Sequence, residues 1–262
     1  PMFAAMTEQE ILAKAKEIKN AKQQDKIDKL LEAKKKVIDN LKQDIKENVP
    51  DIYYKDCFDF LPTLKDNSFD LLITDPPYST DVNDIYSFAK EWVNIALKKV
   101  KKTGRVYICT GAYPKEVQAY LDVLLSQKKF IVDNPLIWTY RNTLGRTPNM
   151  KYNLNYQVIF HLYSLDSPPL DTSITNEMFS VQDINAPDGR LGDRFHTWQK
   201  PDKLGERLIR HSSKAGDRIL DCFACTGTFL LMAAKMNREA VGCDNSKENL
   251  QIAKERGCNV IY

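Results

Sequence analysis

Leu71-Leu72-Ile73-Thr74-Asp75-Pro76-Pro77-Tyr78 runs from apolar residues straight into a carboxylate, two prolines and an aromatic ring. The apolar residues predict a buried strand, and the prolines fix φ and remove two backbone donors directly after it. In open α/β sheets, ligands bind beyond the carboxyl ends of the strands. We therefore interpret Asp75-Pro76-Pro77-Tyr78 as part of an active site whose free oxygens accept hydrogen bonds from N–H groups. The alternative is a plain turn that ends a strand.

On either side of this stretch, strand-like runs alternate with helical ones from residue 50 onward. Such alternation predicts an α/β domain with a mostly parallel sheet. Residues 164–195 follow no period, and we expect an inserted loop region there, because long loops in compact domains are usually functional or disordered. The expected strands are 52–54, 70–74, 105–110, 134–138, 155–163, 218–222 and 239–243, and the expected helices are 82–100, 114–127, 201–213, 228–237 and 246–256.

Residues 7–47 have a different character from the rest of the chain. They contain neither Pro nor Gly, are rich in Lys, Glu, Gln, Ala and Leu, and open with Thr7 and Glu10 in the pattern of a capping box. This predicts one or two long helices with a narrow apolar stripe. The stripe is a candidate for contact with the main domain, with a partner helix or with DNA. The alternative is a solvated helix. The residues of the stripe are Ile11, Ala15, Ile18, Ile27, Leu31, Ile38, Leu41 and Ile45.

The composition limits the class of protein. With 262 residues, of which 43% are hydrophobic and 28% charged, the chain suffices for one sizeable core and an appendage. No run approaches the length of a membrane span, and the first six residues lack the basic flank of a signal peptide, so we expect a cytosolic protein. Six cysteines, several within apolar runs, favour reduced, buried thiols. A net charge of +3 permits a polyanionic partner without requiring one.

A second chemical motif lies downstream, in Arg218-Ile219-Leu220-Asp221-Cys222-Phe223-Ala224-Cys225-Thr226-Gly227-Thr228. A strand, a turn of small residues and the start of a helix direct backbone N–H groups and a positive helix end toward a ligand. The next strand ends in Asp244, where dinucleotide-binding folds hold a ribose by its hydroxyls. Cys222 and Cys225 also suggest a redox or zinc site, but no thioredoxin-like context and no suitably spaced further ligands accompany them, so we expect no metal.

Together these motifs resemble those of the S-adenosylmethionine-dependent DNA amino-methyltransferases, over nearly all of residues 50–262. Asp75-Pro76-Pro77-Tyr78 is similar to the catalytic motif of that family. His196-Thr197-Trp198-Gln199-Lys200-Pro201 is similar to its His-Pro-x-x-Lys-Pro element, and residues 221–227 to its Asp-x-Phe-x-Gly-x-Gly cofactor motif. The catalytic motif comes first and the cofactor motif last, which is the circularly permuted order of the β class.

The resemblance implies a Rossmann-like methyltransferase fold with a mixed, mostly parallel seven-stranded sheet, circularly permuted, and an N-terminal helical extension. It divides the chain into a charged helical extension at 1–49, a catalytic half at 50–163, a target-recognition loop region at 164–195 and a cofactor-binding half at 196–262. It also implies a bacterial or phage protein of restriction–modification type that acts in the cytoplasm.

The resemblance further implies roles for individual residues. The sequence departs from the family pattern at Cys222, Cys225 and Thr197, and only Cys225 matters much, because its Cβ narrows the approach to the methionine part of the cofactor and restricts φ. Either cofactor binding is weaker, or the turn has a conformation open to any residue. The implied catalytic residues are Asp75, Pro76, Pro77 and Tyr78. The implied S-adenosylmethionine site consists of Asp56, Cys57, Lys200, Pro201, Phe223, Ala224, Cys225, Thr226, Gly227, Thr228 and Asp244.

The chemistry follows from the first motif. The exocyclic amino nitrogen of a nucleobase is a poor nucleophile because its lone pair is drawn into the ring. Asp75 and the carbonyl of Pro76 supply acceptors for its two protons, and Tyr78 can stack on a base that has left the duplex. Asp rather than Ser at position 75 favours adenine, as the resemblance implies. The alternatives are methylation of cytosine N4 or of RNA, and an inactive DNA-binding subunit with the same fold.

Sequence recognition is expected between the two halves of the domain, where basic side chains alternate with aromatic and amide ones suited to base edges and phosphates. An ordinary solvated loop is the alternative. The resemblance makes double-stranded DNA the partner, and it leaves open a homodimer, a restriction endonuclease or an upstream domain as further partners. The candidate DNA-binding residues are Arg141, Arg146, Lys151, Arg190 and Arg194.

Overall fold

The computed structural model describes residues 8–45, 47–143 and 149–262. Within these residues, ten strands form one sheet: β1 Asp51–Tyr54, β2 Phe69–Thr74, β3 Val100–Thr110, β4 Ile131–Val132, β5 Leu136–Thr139, β6 Tyr156–Tyr163, β7 Val181–Asp183, β8 Arg218–Asp221, β9 Glu239–Asp244 and β10 Asn259–Ile261. The helices of the same residues are α1 Glu8–Asp44, α2 Cys57–Phe60, α3 Ile85–Lys99, α4 Pro114–Ser126, α5 Asp202–Ser212, α6 Thr228–Lys235 and α7 Lys247–Arg256, with 3-10 turns at Leu61–Thr63 and Thr175–Glu177.

The sheet is mixed and mostly parallel, as the sequence predicts. Its strand order is β10-β1-β9-β8-β2-β3-β6-β5-β7, with β4 also paired to β6. Neighbours from β10 to β3 are parallel, whereas β6 runs antiparallel to β3, β4 and β5. The expected number of seven strands is too low. The three additional strands, β4, β7 and β10, have only two or three residues each, too few for a pattern of alternation.

The carboxyl ends of the central strands meet at one edge of the sheet. Strands β2 and β8 are neighbours, with Leu72 paired to Leu220, so Asp75 directly after β2 lies close to Asp221 at the end of β8. Strand β9 lies on the other side of β8 and ends at Asp244. Because parallel strands present their carboxyl ends on the same side, the two chemical motifs share this edge.

Helices cover both faces of the central strands, which is why the run before Asp75 is continuously apolar. Leu72 packs into a cluster with α3 and α4, whereas Leu71 and Ile73 pack on the opposite face with α5 and α6. All three side chains are fully buried. Because residues 71–73 are enclosed on both faces, successive side chains of this run all pack against apolar neighbours, and polar and apolar residues do not alternate along it.

Helix α1 is one continuous helix of 37 residues, about 55 Å long at the usual rise. Its C-terminal part packs on α6 and α7, where Leu41 is buried and Asp44 pairs with Lys235 at 3.4 Å. Farther toward its start, Ile18, Ile27 and Leu31 are exposed. Of the stripe residues whose side chains the structure describes, those near the C-terminal end of the helix contact the main domain, whereas Ile18, Ile27 and Leu31 do not pack on it; the capping residue Thr7 lies outside the described residues.

The six cysteines carry free thiols, and all except Cys225 are buried. Among the residues that the structure describes, no helix is long and apolar enough to cross a membrane. The same residues contain no group of three or more His, Cys, Asp or Glu side chains arranged to hold a metal ion.

Candidate active site

Asp75 and Tyr78 lie just beyond β2, with their side chains hydrogen-bonded to each other. The Tyr78 hydroxyl donates to Asp75 Oδ1 at 2.9 Å. The ammonium of Lys200, two residues before α5, donates to Asp75 Oδ2 and, at 3.1 Å, to the Tyr78 hydroxyl. The side chain of Lys200 is 4% exposed and that of Asp75 18%, so this ion pair is largely withdrawn from water. The fold thereby joins the first motif to the His196–Pro201 element.

The Tyr78 phenol is neutral and packs against an aromatic side chain. Burial raises its pKa well above the usual range, and the neighbouring Asp75 carboxylate raises that pKa further. Its ring meets Trp198 edge to face, with the ring centroids 6.5 Å apart. Trp198 is 66% exposed, so a large apolar surface stands at the mouth of the site.

Glu116 of α4 holds the segment that follows Tyr78. Its buried carboxylate accepts hydrogen bonds from Ser79 N at 2.7 Å and from Gly111 N at 2.5 Å. The end of β3 and the residues after β2 are thus tied to one side chain. Sequence reasoning missed Glu116, because a single acid in the first turn of an amphipathic helix is usually a surface residue.

The second motif forms what we call the cofactor turn, residues 221–228. Asp221 is fully buried at its start and accepts hydrogen bonds at Oδ1 from Thr74 Oγ1 at 2.7 Å and from Phe223 N at 3.2 Å. Burial raises the pKa of this carboxyl to about 7. Asp221 therefore links the end of β2 to the turn and fixes the path of the backbone there.

Two residues of the cofactor turn adopt left-handed backbone conformations. Cys225 has φ of 47° and Gly227, which precedes α6, has φ of 77°. For Cys225 this conformation costs about 1–2 kcal/mol, since it carries a Cβ. The turn therefore retains the shape that glycine favours, and the conformation is not one open to any residue. Cys225 N donates to Asp244 Oδ2 at 2.8 Å, which ties the turn to the end of β9.

A cavity of about 460 Å³ opens along this edge of the sheet. A narrow extension of about 20 Å³ continues from Asp75 and Lys200 into the cofactor turn, where Ala224, Thr226 and Thr228 line it. The edge of the sheet thus brings most of the predicted cofactor residues together with the predicted catalytic ones. The predicted residues that line the cavity of about 460 Å³ are Asp56, Cys57, Asp75, Pro76, Pro77, Tyr78, Phe223, Cys225 and Asp244.

Two predicted cofactor residues line neither space. Pro201 caps α5 and borders a different surface cavity, beside Asp183. Gly227 faces the protein interior, where a Cβ would lie 2.6 Å from Cys258 Sγ, so a glycine is needed for close packing as well as for its φ. Both residues belong to the packing behind the site and do not face the two spaces.

The cysteines at the cavity are not reactive thiolates. Burial raises the pKa of Cys225 to about 12, and burial also raises that of Cys57 strongly. The Cys225 thiol lies 3.6 Å from Nδ1 of His196. A thiol that stays protonated at neutral pH serves as a wall of the cavity, which leaves hydrogen bonding and positioning as the chemistry of this site.

The sequence from 69 to 255 matches the family model described as a DNA methylase of the N6/N4 type. This span contains both motifs and covers well over half of the chain. The chain belongs to the N6/N4 DNA methylase family. It is an S-adenosylmethionine-dependent DNA methyltransferase, as the two motifs had indicated.

Relatives of this methyltransferase are Type II enzymes of bacteria. Type II methyltransferase M.HpaI of Haemophilus parainfluenzae is 30% identical over 225 residues, which cover 75% of this chain and 70% of that protein. Type II methyltransferase M1.MboII of Moraxella bovis is 26% identical over 242 residues, covering 75% of this chain and 92% of that protein.

Solved structures confirm the fold class. The cytosine-N4-specific PvuII DNA methyltransferase superposes with a TM-score of 0.68 at 16% identity, over 81% of this chain and 88% of that one. M1.HpyAVI, solved as a complex with S-adenosylmethionine, superposes with a TM-score of 0.64 at 23% identity, over 79% and 98%. Both share the α/β methyltransferase fold of this chain.

A second cavity of the methyltransferase, about 530 Å³, lies beside Lys200 and Trp198 and is walled by Trp138 and Tyr140. Two of the predicted DNA-binding residues, Arg190 and Arg194, line it.

The remaining predicted DNA-binding residues do not line this cavity or lie outside the described residues. Arg141 directly follows Tyr140 and pairs with Asp183 at 3.0 Å. Lys151 is exposed, and Arg146 lies outside the described residues.

The sequence interpretation also missed some residues of the first cavity. Phe88 of α3 and His196 contribute walls to it. Asn245 and Asn249 follow Asp244, and their amide groups donate to Asp56 Oδ2 at 3.0 Å and to Asp244 Oδ1 at 3.1 Å. Two amides within five residues of a strand-ending acid are a signal that sequence reasoning could have used, since they orient carboxylates.

Proposed function

We propose that this methyltransferase modifies the N6 amino group of adenine in double-stranded DNA, within a specific sequence and after the base has left the helix. The observation that carries the proposal is the Asp75 carboxylate at the end of β2, followed by the prolyl carbonyl of Pro76. Both groups accept hydrogen bonds and neither donates one. In this family, Asp rather than Ser at this position favours adenine.

The acceptors act on the electronic state of the amino group. An aromatic amine is nearly planar, because its lone pair is conjugated with the ring. Hydrogen bonds from its two protons to Asp75 and to the Pro76 carbonyl favour a tetrahedral nitrogen, whose lone pair is then free to attack. S-adenosylmethionine, when bound, supplies the methyl group as an electrophile on a positive sulfur. The methylated nitrogen must then lose one proton, and Asp75 can accept it.

The hydrogen bonds from Lys200 and Tyr78 leave acceptor positions of Asp75 free for a substrate amino group. A carboxylate offers about four acceptor positions, and Tyr78 and Lys200 each use one of them. The remaining lone pairs are available to an amino group. The ammonium also balances the charge of a carboxylate that is largely removed from water, where an unpaired charge would be costly.

The cavity of about 460 Å³ fits the nucleoside part of S-adenosylmethionine. Asp244 accepts hydrogen bonds from Cys225 N, Ser246 N and Asn249 Nδ2, which leaves about one acceptor position for a ribose hydroxyl. Asp56 lies across the cavity as a partner for the adenine amino group. The methionine part is proposed to lie along Phe223 and Cys225, toward the narrow extension at Thr226 and Thr228, which alone has room for about one water molecule.

The aromatic cavity beside Trp198 is proposed as the approach of the target base. Taking a base out of the duplex costs a few kcal/mol, and stacking on an aromatic side chain offsets about 1–3 kcal/mol of that cost. The walls Trp138, Tyr140 and Trp198 supply such faces. The cavity shares Trp198 with the first cavity and Lys200 with its narrow extension, so a base within it borders the catalytic groups.

DNA phosphates are the proposed ligands of the exposed arginines around this cavity. The side chains of both arginines are exposed, Arg190 being paired with Asp188 at 2.6 Å and Arg141 with Asp183. Exposed ion pairs contribute only about 0–1 kcal/mol, so phosphate groups can replace these carboxylates at little cost. We extend the same proposal to Arg146, Lys151 and Arg194.

The Type II relatives support a role in restriction–modification, with a restriction endonuclease as a functional partner. A homodimer is the further proposed assembly, through the part of α1 that projects beyond the main domain. Its exposed apolar residues Ile18, Ile27 and Leu31 support this assignment.

Product analysis tests the proposal. The purified chain is incubated with duplex DNA and S-adenosylmethionine, the DNA is digested to nucleosides, and the methylated nucleoside is identified by mass spectrometry. We expect N6-methyldeoxyadenosine. N4-methyldeoxycytidine as the product would overturn the choice of base, and the absence of any product with bound S-adenosylmethionine would indicate an inactive subunit.

A further inference from the structure

Arg256, the last residue of α7, is enclosed within the protein, with 1% of its surface exposed. Its Nη1 donates to Thr226 O at 2.9 Å, to Thr226 Oγ1 at 3.1 Å and to Thr228 Oγ1 at 2.8 Å. Its Nη2 donates to Asp202 Oδ1 at 3.0 Å, at the start of α5. One guanidinium thus connects the last helix to the cofactor turn and to the helix that follows Lys200.

The contacts of Arg256 fall where the backbone of the cofactor turn is least favourable. Thr226 lies between Cys225 and Gly227, which both have left-handed φ values. Such a conformation costs free energy for a residue with a Cβ and persists only when surrounding contacts hold it. Arg256 binds both the carbonyl and the hydroxyl of Thr226, and it also binds the first residue of α6. Among the residues that the structure describes, Arg256 is the one cationic side chain that donates hydrogen bonds to Thr226.

The guanidinium also contacts the loop that leads to Lys200. Its Cζ lies 5.1 Å from the centre of the Phe195 ring, and Nζ of Lys34 on α1 lies 5.6 Å from the same ring. Arg256 does not itself line the cavity or its narrow extension, whereas Thr226 and Thr228 line the extension. The direct hydrogen bonds of Arg256 to the lining of this space are therefore those with the two threonines.

We propose that Arg256 is a positioning residue for S-adenosylmethionine, which holds Thr226 and Thr228 so that the cofactor turn keeps its binding conformation. The inference rests on the proposed cofactor site and is independent of which base is methylated. Cofactor affinity is therefore set partly by a residue on the far side of the turn. The dependence of cofactor affinity on Arg256 is expected to be greater with Cys at position 225 than with Gly. The left-handed conformation is unfavourable for Cys225, and this residue is adjacent to Thr226.

Arg238 provides a matched control for the loss of a buried arginine. It is 9% exposed and donates to the carbonyls of Met236 at 2.6 Å and Ser213 at 2.5 Å. It directly precedes β9, so it lies at the amino ends of the strands, away from the cofactor turn. Removing its guanidinium perturbs the fold without touching either threonine.

The test compares Arg256→Met, Arg256→Lys and Arg238→Met in the full chain. Calorimetry without DNA gives the Kd for S-adenosylmethionine, and thermal unfolding gives Tm. We expect Arg256→Met to raise Kd by about tenfold or more, and Arg256→Lys to recover part of the loss, because an ammonium still donates to the Thr226 carbonyl. Arg238→Met should lower Tm to a similar extent while Kd stays within about threefold of wild type.

An unchanged Kd in Arg256→Met, or an equal rise of Kd in Arg256→Met and Arg238→Met, would overturn the proposal. If Arg256→Met does not fold, Asp202→Ala replaces it, with Glu206→Ala on the same helix as its control. Asp202 Oδ1 accepts from Arg256 Nη2 and lines neither cofactor space, whereas Glu206 accepts from Lys235. Kd should rise for Asp202→Ala and not for Glu206→Ala, and equal Kd values would reject the role. A wild-type chain that binds S-adenosylmethionine but methylates cytosine would contradict only the choice of adenine.

Discussion

Three aspartates meet at the carboxyl edge of the sheet, and their surroundings give them different properties. Asp221 is fully buried, and burial raises its pKa to about 7. Asp244 is held by three donors from its own loop and from the cofactor turn. Asp75 alone pairs with an ammonium and a phenol, beside an aromatic cavity. One residue type thus orders the turn and is proposed to bind both the cofactor and the reacting amino group.

Replacing Asp75 by Ala should abolish methyl transfer. The substrate amino group would lose its charged acceptor, and the loss of one such hydrogen bond in an active site typically costs about 100-fold or more in kcat. Cofactor affinity should stay within a few fold, because the side chain of Asp75 is hydrogen-bonded to Tyr78 and Lys200 and not to the described residues of the cofactor turn. Rates of methyl transfer and calorimetry with S-adenosylmethionine check both parts. Asp122→Ala, on the exposed face of α4, is the control, and undiminished turnover in Asp75→Ala would refute the assignment.

Replacing Asp221 by Asn should change how stability depends on pH. The pKa of Asp221 is about 7 in the folded chain against a usual 3.8, so on raising the pH the unfolded chain releases the proton first. The stability that Asp221 contributes to the wild-type chain is therefore greatest below its usual pKa of 3.8. As the pH rises from there toward 7, the free energy of unfolding falls by about 1.4 kcal/mol per pH unit. The amide of asparagine has no such proton.

Urea unfolding of both chains at several pH values measures this effect. The difference in free energy of unfolding between the Asp221→Asn variant and the wild type should grow in favour of the variant as the pH rises. A difference that does not vary with pH would mean that Asp221 titrates as it does in the unfolded chain.

Helix α1 contacts the loop that carries the candidate DNA-binding arginines. Gly192 of this loop has φ of 79°, and a Cβ there would lie 2.9 Å from Cβ of Ala33 and 2.9 Å from N of Lys34. The loop and the helix are therefore in backbone contact, which a glycine alone permits. This packing places Arg190 and Arg194 relative to the aromatic cavity.

Replacing Gly192 by Ala should loosen this contact. The left-handed φ and the overlap with α1 together should destabilise the chain by about 1–3 kcal/mol, and α1 should become more accessible to limited proteolysis. Gly189 is the control, because a Cβ at that position has no atom within 4 Å. Equal Tm values and equal rates of cleavage for Gly192→Ala and Gly189→Ala would show that α1 does not rest on this loop.

The elements differ in how far sequence patterns reveal them. Long elements such as α3, α4 and β6 match their predicted bounds within a few residues, because periodicity over many residues is a strong signal. Strands β4, β7 and β10 escaped prediction, since they exist only through pairing with strands distant in sequence. The loop region 164–195 was predicted without structure, yet β7 within it extends the sheet beside β5.

Across the whole molecule, the sheet brings together residues that are distant in sequence. The two motifs lie in opposite halves of the chain, and β2 and β8 bring them side by side. The family match over 69–255 spans this arrangement, whereas α1 precedes it. The helix joins the domain that contains this sheet through Leu41, Asp44 and the loop at Gly192.

The sequence by itself determined the fold class and the two motifs, because strand-like and helical periodicity and turn chemistry are local properties that a linear pattern carries. The methyl donor was implied by the resemblance of those motifs to a known family. Only the tertiary structure decided that Lys200 pairs with Asp75, that Glu116 holds Ser79, and that Arg256 supports the cofactor turn. Each of these contacts joins residues from different elements. Their free energy comes from burial and pairing once the sheet has assembled, and no local pattern encodes which charged side chain will be enclosed.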